Sequence, residues 1–214
     1  MSLINRKKNR LVPEPALRRM PCYLSYLKLA QRDGHKYISS TLIARDMGVD
    51  PTQVTKDLSY TSIVGKTRVG YEVDALIDVL EDFLGFTVVD EAYLFGVGSL
   101  GKALLHDYGL KQFGLKIVAA FDIDPQVVGK TIEGVEIYHF DELARMQENG
   151  VKIGILTVPV DKTQEVADRL VESGIQGIWN FTPVNIKVND GVVVQNTSLY
   201  AHLAVMFNRM KANS

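Results

Sequence analysis

Residues 93–101 read Tyr-Leu-Phe-Gly-Val-Gly-Ser-Leu-Gly, three glycines spaced as in a phosphate-cradling turn, between an apolar stretch at 91–95 and a helix-forming stretch at 99–107. That context predicts strand, turn and helix. Gly96 permits the reversal, Gly98 lets a pyrophosphate approach the backbone, and Gly101 lets the helix lie close to the strand. The candidate cradle is Gly96, Val97, Gly98, Ser99, Leu100 and Gly101, where unpaired N–H groups at the helix start face an anion.

Downstream, an apolar stretch at 116–121 predicts a second strand, ending in Asp122-Ile123-Asp124-Pro125, about 20 residues past the last glycine, where a ribose-binding carboxylate is expected. Asp122 can accept hydrogen bonds from ribose hydroxyls, and its charge would repel a 2′-phosphate, which favours NAD(H) over NADP(H). Asp124 is a second ribose candidate or the cap of the turn at Pro125. The alternation continues with strands at 135–138, 152–158, 177–181 and 192–195 and helices at 141–147 and 161–172, the latter with Asp161 as its cap. This pattern predicts an α/β fold with a doubly wound parallel sheet of Rossmann type. Thr157, Val158 and Pro159, with Asn180 and Phe181, fall at strand ends and are candidates to border a nicotinamide. Pro159 and Pro183 could equally just end their strands.

The glycine turn follows some ninety residues of different character, and 113 residues lie beyond Gly101. An extra module placed first suits a sensor better than a dehydrogenase with a downstream substrate domain. Residues 1–71 carry 13 Lys/Arg against 5 Asp/Glu, and residues 72–214 carry 11 against 20, an asymmetry hidden in the net charge of −1. A basic module on an acidic body points to a polyanionic partner or to a merely solvated face.

Within the first module, Leu17, Met20, Leu24, Leu27 and Leu29 or Ala30 predict an amphipathic helix over 15–31, with a kink or late start at Pro21. Cys22 sits among these apolar residues and reads as a small core residue; as the single cysteine it has no intrachain disulfide partner. Ser39 and Ser40 can cap a helix over 41–47, Gly48 stops it, and Asp50-Pro51 starts another running to about residue 60. Two short helices about a glycine turn make a helix-turn-helix. Its second helix would offer Thr52, Gln53, Thr55, Lys56 and Tyr60 to phosphates or base edges, Gln53 being able to read adenine. Residues 64–71 form two β-prone stretches around Lys66 and Arg68, the pattern of a wing suited to phosphate or minor-groove contacts. A helix from Val73 to Gly85, with five acidic residues between Glu72 and Asp82, reads as a connector.

These readings divide the chain into a winged-helix DNA-binding domain with its connector at 1–85, a dinucleotide domain at 86–196 and a terminal helix at 197–214. Apolar residues nearly encircle that helix over 198–211, which implies a homodimer interface or burial within its own chain. No catalytic residue is assigned. The four histidines lack metal-ligand spacing, and His106 and Tyr108 are the only candidate proton donors near the glycine turn. A small NAD-dependent oxidoreductase and a CoA-type binding module remain as rivals. No apolar run is long enough to span a bilayer and the first residues lack a secretory pattern, so a cytoplasmic protein without membrane or metal partners is expected.

The sequence resembles the Rex family of redox-sensing transcriptional repressors over nearly its whole length. The resemblance rests on Lys56-Asp57-Leu58-Ser59-Tyr60, Gly65-Lys66, Val69-Gly70-Tyr71, Gly96-x-Gly98-x-Leu100-Gly101, Ala119-Ala120-Phe121-Asp122-x-Asp124-Pro125, Thr157-Val158-Pro159 and Asn180-Phe181-x-Pro183-Val184. It implies a homodimer with winged-helix domains, NADH/NAD+ as the sensed ligand, a swapped C-terminal helix and palindromic double-stranded operators that are released as NADH rises. Departures cluster at the DNA-reading module: Thr55 stands where the family usually has Arg, residues 61–64 differ, and Thr67-Arg68 replaces a common Arg-Gly. Ser25 and Ser198 stand where some relatives have Arg and Asp.

Overall fold

The computed structural model describes residues 12–212. The chain divides into two compact units between Val88 and Val89.

The first unit contains α1 (Glu14–Arg32), β1 (Tyr37–Ile38), α2 (Ser40–Met47), α3 (Pro51–Leu58), β2 (Tyr71–Glu72) and α4 (Val73–Leu84). Ser39 accepts a hydrogen bond from Leu42 N to start α2, Gly48 ends it at φ 66°, and Asp50 accepts from Thr52 N to start α3. Met20, Leu24 and Leu27 of α1 pack with Ile43 of α2, Val54 and Leu58 of α3, and Leu76 and Leu80 of α4. Full burial of each such side chain contributes roughly 1.5–3 kcal/mol. The helix starts at Glu14 and continues through Pro21, so the late start does not occur: burial of Met20 and Leu24 on either side in sequence outweighs one lost backbone bond. The same packing explains a correction in α1. Cys22 is exposed, since the buried positions Met20, Tyr23, Leu24 and Leu27 follow the helical period and leave it on the far side.

The wing is less regular than its β-prone composition suggests. Within 64–71 only Tyr71 belongs to a strand, pairing with Ile38 while Glu72 pairs with Tyr37, and a single bridge joins Lys66 to Gly70. Helix α3 stops at Leu58, two residues early, because Thr61 returns both its N–H and its hydroxyl to the Leu58 carbonyl.

In the second unit, β3 (Asp90–Phe95), α5 (Ser99–Leu105), α6 (Gly109–Gln112) and β4 (Leu115–Asp122) lead to the hairpin of β5 (Thr131–Ile132) and β6 (Val135–His139). Then come α7 (Leu143–Met146), β7 (Ile153–Leu156), α8 (Thr163–Glu172), β8 (Gly177–Asn180), β9 (Val193–Asn196) and α9 (Leu199–Ala212). The sheet order is β5-β6-β4-β3-β7-β8-β9, parallel throughout except for the β5–β6 pair. The parallel strands thus run outward from β3 in both directions, and their order reverses between β3 and β7, where α/β sheets hold ligands. Alternate β3 residues feed opposite cores: Tyr93 and Phe95 join Leu143 and Leu170, while Ala92 and Leu94 join Leu105 and Ile137.

Several boundaries differ from expectation. The helix expected at 141–147 is a composite of 3-10 turns around α7, opened by a cap in which His139 Nδ1 accepts from Asp141 N while Glu142 accepts from His139 N. Helix α8 starts at Thr163 after a 3-10 turn, and Asp161 does not cap it; instead Thr163 donates its hydroxyl to the Pro159 carbonyl. Elements α6 and β5 were not expected, being too short to show a period. Helix α9 has no buried residue, and Tyr200, Leu203, Val205, Met206 and Phe207 are all exposed, so it is not buried within the described chain.

Leu24→Ala should cost about 3 kcal/mol in urea unfolding, whereas Cys22→Ser should stay within about 0.5 kcal/mol. Equal losses would return Cys22 to the core.

Candidate functional site

The register Phe95↔Phe121, Phe95↔Leu156 and Leu156↔Asn180 sets four strand ends in one row, so Gly96, Asp122, Thr157 and Phe181 form the rim beyond it. Sterics then dictate residue types. Gly96 has φ 90°, and a Cβ there would stand 2.8 Å from the Thr157 carbonyl oxygen. At Gly101 a Cβ would stand 2.1 Å from the Gly96 carbonyl oxygen. The Thr157 hydroxyl donates to the carbonyls of Gly96 at 2.7 Å and Phe95 at 3.0 Å, locking β7 to the turn.

Gly98 is different. It precedes α5 at φ −74°, a value open to any residue, and a Cβ there would meet nothing within 4 Å. The chain's own packing does not require glycine at this position; an anion seated on the turn would. No side chain caps α5, which leaves the N–H groups of Ser99 and Leu100 at the helix start without a side-chain acceptor. The residues therefore fit a pyrophosphate.

Asp122 is half-buried, and its Oδ2 accepts from Val97 N at 2.6 Å while Oδ1 accepts from Ile123 N at 2.7 Å and Asp124 N at 2.9 Å. It therefore anchors the glycine turn. Asp124 accepts from Gln126 N, the turn-capping alternative. Val158 is half-buried against the second unit's core, and the exposed Pro159 opens the 3-10 turn before α8. Asn180 is fully buried with all four hydrogen-bonding positions filled: it donates to Val184 O and Asn196 Oδ1 and accepts from the Thr182 amide and hydroxyl. Its side chain clasps β8 to β9, with nothing left for a ligand. Phe181 is half-buried with its ring 4.6 Å from that of Trp179.

His106 and Tyr108 both engage Glu133 at the β5–β6 hairpin, at 3.0 and 2.6 Å. Hydrogen bonding to that carboxylate pushes the Tyr108 phenol up. Among the described residues no group of three or more His, Cys, Asp or Glu could hold a metal, and no helix is long and apolar enough to cross a membrane.

In the first unit, Thr52, Thr55 and Lys56 are exposed along α3. Gln53 is half-buried and donates to Asp57 Oδ1 at 2.7 Å, and Tyr60, lying past the end of α3, packs against the core. Sequence reasoning missed the cluster to which Gln53 belongs. Asp57 is fully buried, gripped by Arg19 through Nε at 2.7 Å and Nη2 at 2.9 Å, and accepts from the Tyr23 hydroxyl at 2.9 Å. Burial pushes the Asp57 carboxyl up, but the hydrogen bonds from Arg19, Tyr23 and Gln53 together outweigh it and hold the group below its usual range. Burial, then the bond to Asp57, pushes Tyr23 up to about 12. The only signal in the sequence was the four-residue spacing of Gln53 and Asp57. On the wing, Lys66 Nζ lies 3.4 Å from the Tyr37 hydroxyl and 4.0 Å from Glu72, while Arg68 is exposed.

A parallel sheet with a reversal point at a glycine turn, preceded by a winged helix-turn-helix, defines a regulator class in which a nucleotide-type domain accompanies a DNA-binding module. Residues 11–59 match a family model described as a putative DNA-binding protein N-terminus, and residues 90–184 match one described as a CoA binding domain. A redox-sensing transcriptional repressor Rex of Bacteroides fragilis is 58% identical over 211 residues, covering 98% of this chain and 96% of that one. The Rex of Treponema denticola is 44% identical, with 95% and 99% covered. The crystal structure of RSP in complex with beta-NAD+ and operator DNA superposes with a TM-score of 0.89 at 33% identity, covering 95% of this chain and 94% of that one. RSP in complex with beta-NADH gives 0.86 at 32%, covering 95% and 96%. The chain belongs to the Rex family of redox-sensing transcriptional repressors.

Because the folded Asp57 carboxyl is held below its unfolded value, its contribution is complete above about pH 4 and fades as pH falls through the folded value. Asp57→Asn should cost about 3 kcal/mol at neutral pH and lose that acid dependence of first-unit stability. An unchanged acid profile in this variant would remove Asp57 from the account. In the second unit, Gly101→Ala should unfold the domain or cost more than about 2 kcal/mol, while Gly98→Ala should melt like the parent chain.

Proposed function

We propose that this chain is a homodimeric, cytoplasmic transcriptional repressor that binds a palindromic operator and leaves it when NADH occupies the second unit. The observation that carries the reading is Gly98. Its Cβ position opens on empty space at an uncapped helix start beside Asp122, in a chain that also bears a winged helix-turn-helix. Gly96 to Gly101 would hold the pyrophosphate on backbone N–H groups, and Asp122 the ribose hydroxyls, its charge disfavouring a 2′-phosphate. Val158, Pro159 and Phe181 border the nicotinamide side, with Thr157 and Asn180 fixing the backbone there. The bound nicotinamide supplies the signal, being cationic when oxidised and neutral when reduced.

No catalytic residue enters this reading, since His106 and Tyr108 are committed to Glu133. Thr52, Gln53, Thr55, Lys56 and Tyr60 of the recognition segment, with Lys66 and Arg68 of the wing, make the DNA face. The exposed apolar side chains of α9 support a subunit interface, which two-fold half-sites require. The switch needs only a difference in affinity: NADH must bind the DNA-free state more tightly than the DNA-bound state, and each tenfold of that preference is about 1.4 kcal/mol.

A second reading, a CoA sensor, is favoured by the description of the family model over residues 90–184. Calorimetry with NADH, NAD+, ADP and CoA separates the two. Under the NADH reading, NADH binds most tightly and Gly98→Ala weakens it at least tenfold; tighter binding of CoA would favour the rival. In gel shifts with a matched operator, saturating NADH should release the DNA and NAD+ should not. Equal DNA affinity with and without NADH would sink the switch.

A further inference from the structure

We propose that Arg68 is a specificity-determining residue of the wing, a cation held in the left-handed backbone conformation at the hairpin tip so that its guanidinium enters the DNA minor groove beside the half-site. This rests on the DNA-binding reading and goes further, assigning how this chain tells one operator flank from another.

The backbone of the hairpin is fixed independently of the side chain at 68. Lys66 N donates to Gly70 O at 2.7 Å, while the Lys66 carbonyl accepts from Gly70 N at 2.9 Å and from Val69 N at 3.1 Å. Those bonds enclose the turn Lys66-Thr67-Arg68-Val69. Arg68 has φ 64° and Thr67 is not among the positive-φ residues, the sign pattern of a type II turn whose third position favours glycine. The legs of the hairpin cannot shift to relieve it. Gly70 has φ 98° and lies so close to β1 that a Cβ would stand 2.3 Å from the Ile38 carbonyl oxygen, and a Cβ at Gly65 would stand 3.1 Å from the Tyr71 ring.

An arginine at this position is strained by the clash between its Cβ and the following carbonyl. It receives nothing in return from its own fold. Arg68 is exposed, and among the described residues its guanidinium has no ion pair or hydrogen bond. Arg18, Arg19 and Arg45 of the same unit each hold a carboxylate and Lys66 leans on Tyr37 and Glu72, while Arg32, which like Arg68 holds none among the described residues, sits in the unstrained backbone of α1. Thr67, one position earlier, has an ordinary backbone where a cation would carry no strain, yet the cation stands at 68. Strain kept without an intramolecular partner marks a group whose use lies outside the molecule. The stretch 1–71 that carries the helix-turn-helix and the wing has 13 Lys/Arg against 5 Asp/Glu, so that use is a polyanion. A weakly hydrated planar guanidinium on a narrow hairpin suits the minor groove, and it prefers A·T-rich flanks, whose narrow groove deepens the negative potential.

The test uses the full-length protein and a palindromic operator that it selects from randomised duplexes. Wild type, Arg68→Gly and the charge-preserving pair Thr67→Arg with Arg68→Gly are compared by calorimetric melting and by affinity for operators carrying A·T or G·C pairs under the wing. Arg68→Gly is expected to melt about 3 °C higher or more, to bind about tenfold more weakly, and to lose the wild-type preference for A·T. The paired variant is expected to keep the melting gain and the salt dependence but not the A·T preference. An Arg68→Gly protein that melts no higher, or that keeps the preference, overturns the proposal. A paired variant with the full preference does so too, because any cation on the hairpin would then suffice. A wild-type protein that selects no DNA overturns the repressor reading with it, and the parent chain alone reveals that outcome.

Discussion

Where α5 crosses the end of β3, a Cβ at Gly101 would stand 2.1 Å from the carbonyl oxygen of Gly96, and the arrangement of the second unit follows from that contact. With no side chain between them, the helix begins directly over the strand end, uncapped by any side chain, next to the point where the strand order reverses. The same closeness puts the Gly96 carbonyl within reach of the Thr157 hydroxyl, which ties in β7, and leaves Val97 N to be taken by Asp122, which ties in β4. Three neighbouring strands are thus fastened to one turn.

The first unit depends on a different kind of constraint. Among the described residues its core is apolar except for Asp57, whose carboxylate is satisfied by Arg19 and Tyr23 of α1 and Gln53 of α3. A charge there is costly to bury and more costly to leave alone, so the four groups stand together. Their geometry fixes α3 against α1, and with it the outward direction of Thr52, Thr55 and Lys56. Gln53 is drawn inward as part of this clasp, so its amide is engaged by the fold rather than freely disposed to read bases.

Much of this was legible from residue order. The glycine spacing at 96, 98 and 101, the caps at Ser39 and Asp50, and the stops at Gly48 and Gly85 all act within a few residues of themselves, so their local pattern carries their structure. The Rossmann-type sheet and the winged helix were legible for the same reason, as sums of local periods. A late start at Pro21 does not occur because the local rule for proline omits the packing of Met20 and Leu24, and Cys22 lies outside the core because apolar neighbours in sequence are not neighbours around a helix. The start of α8 and the composite helix near α7 depend on side chains choosing among nearby backbone groups, where composition is a weak guide.

By itself the sequence determined the two modules, their order, the nucleotide turn and the basic character of the first part, because backbone conformation, apolar periodicity and charge are properties of short stretches. Only the tertiary structure decided what the polar residues do. Asp57 meets Arg19 across 38 residues, Val97 meets Asp122 across 25, and Asn180 spends its amide on β9 rather than on the crevice. It also decided that Arg68 is held left-handed, since that depends on Gly70 pressed against Ile38 in a distant strand. A hydrogen bond or a steric limit is set by separation in space. Sequence spacing fixes that separation only within a helix turn or a tight loop.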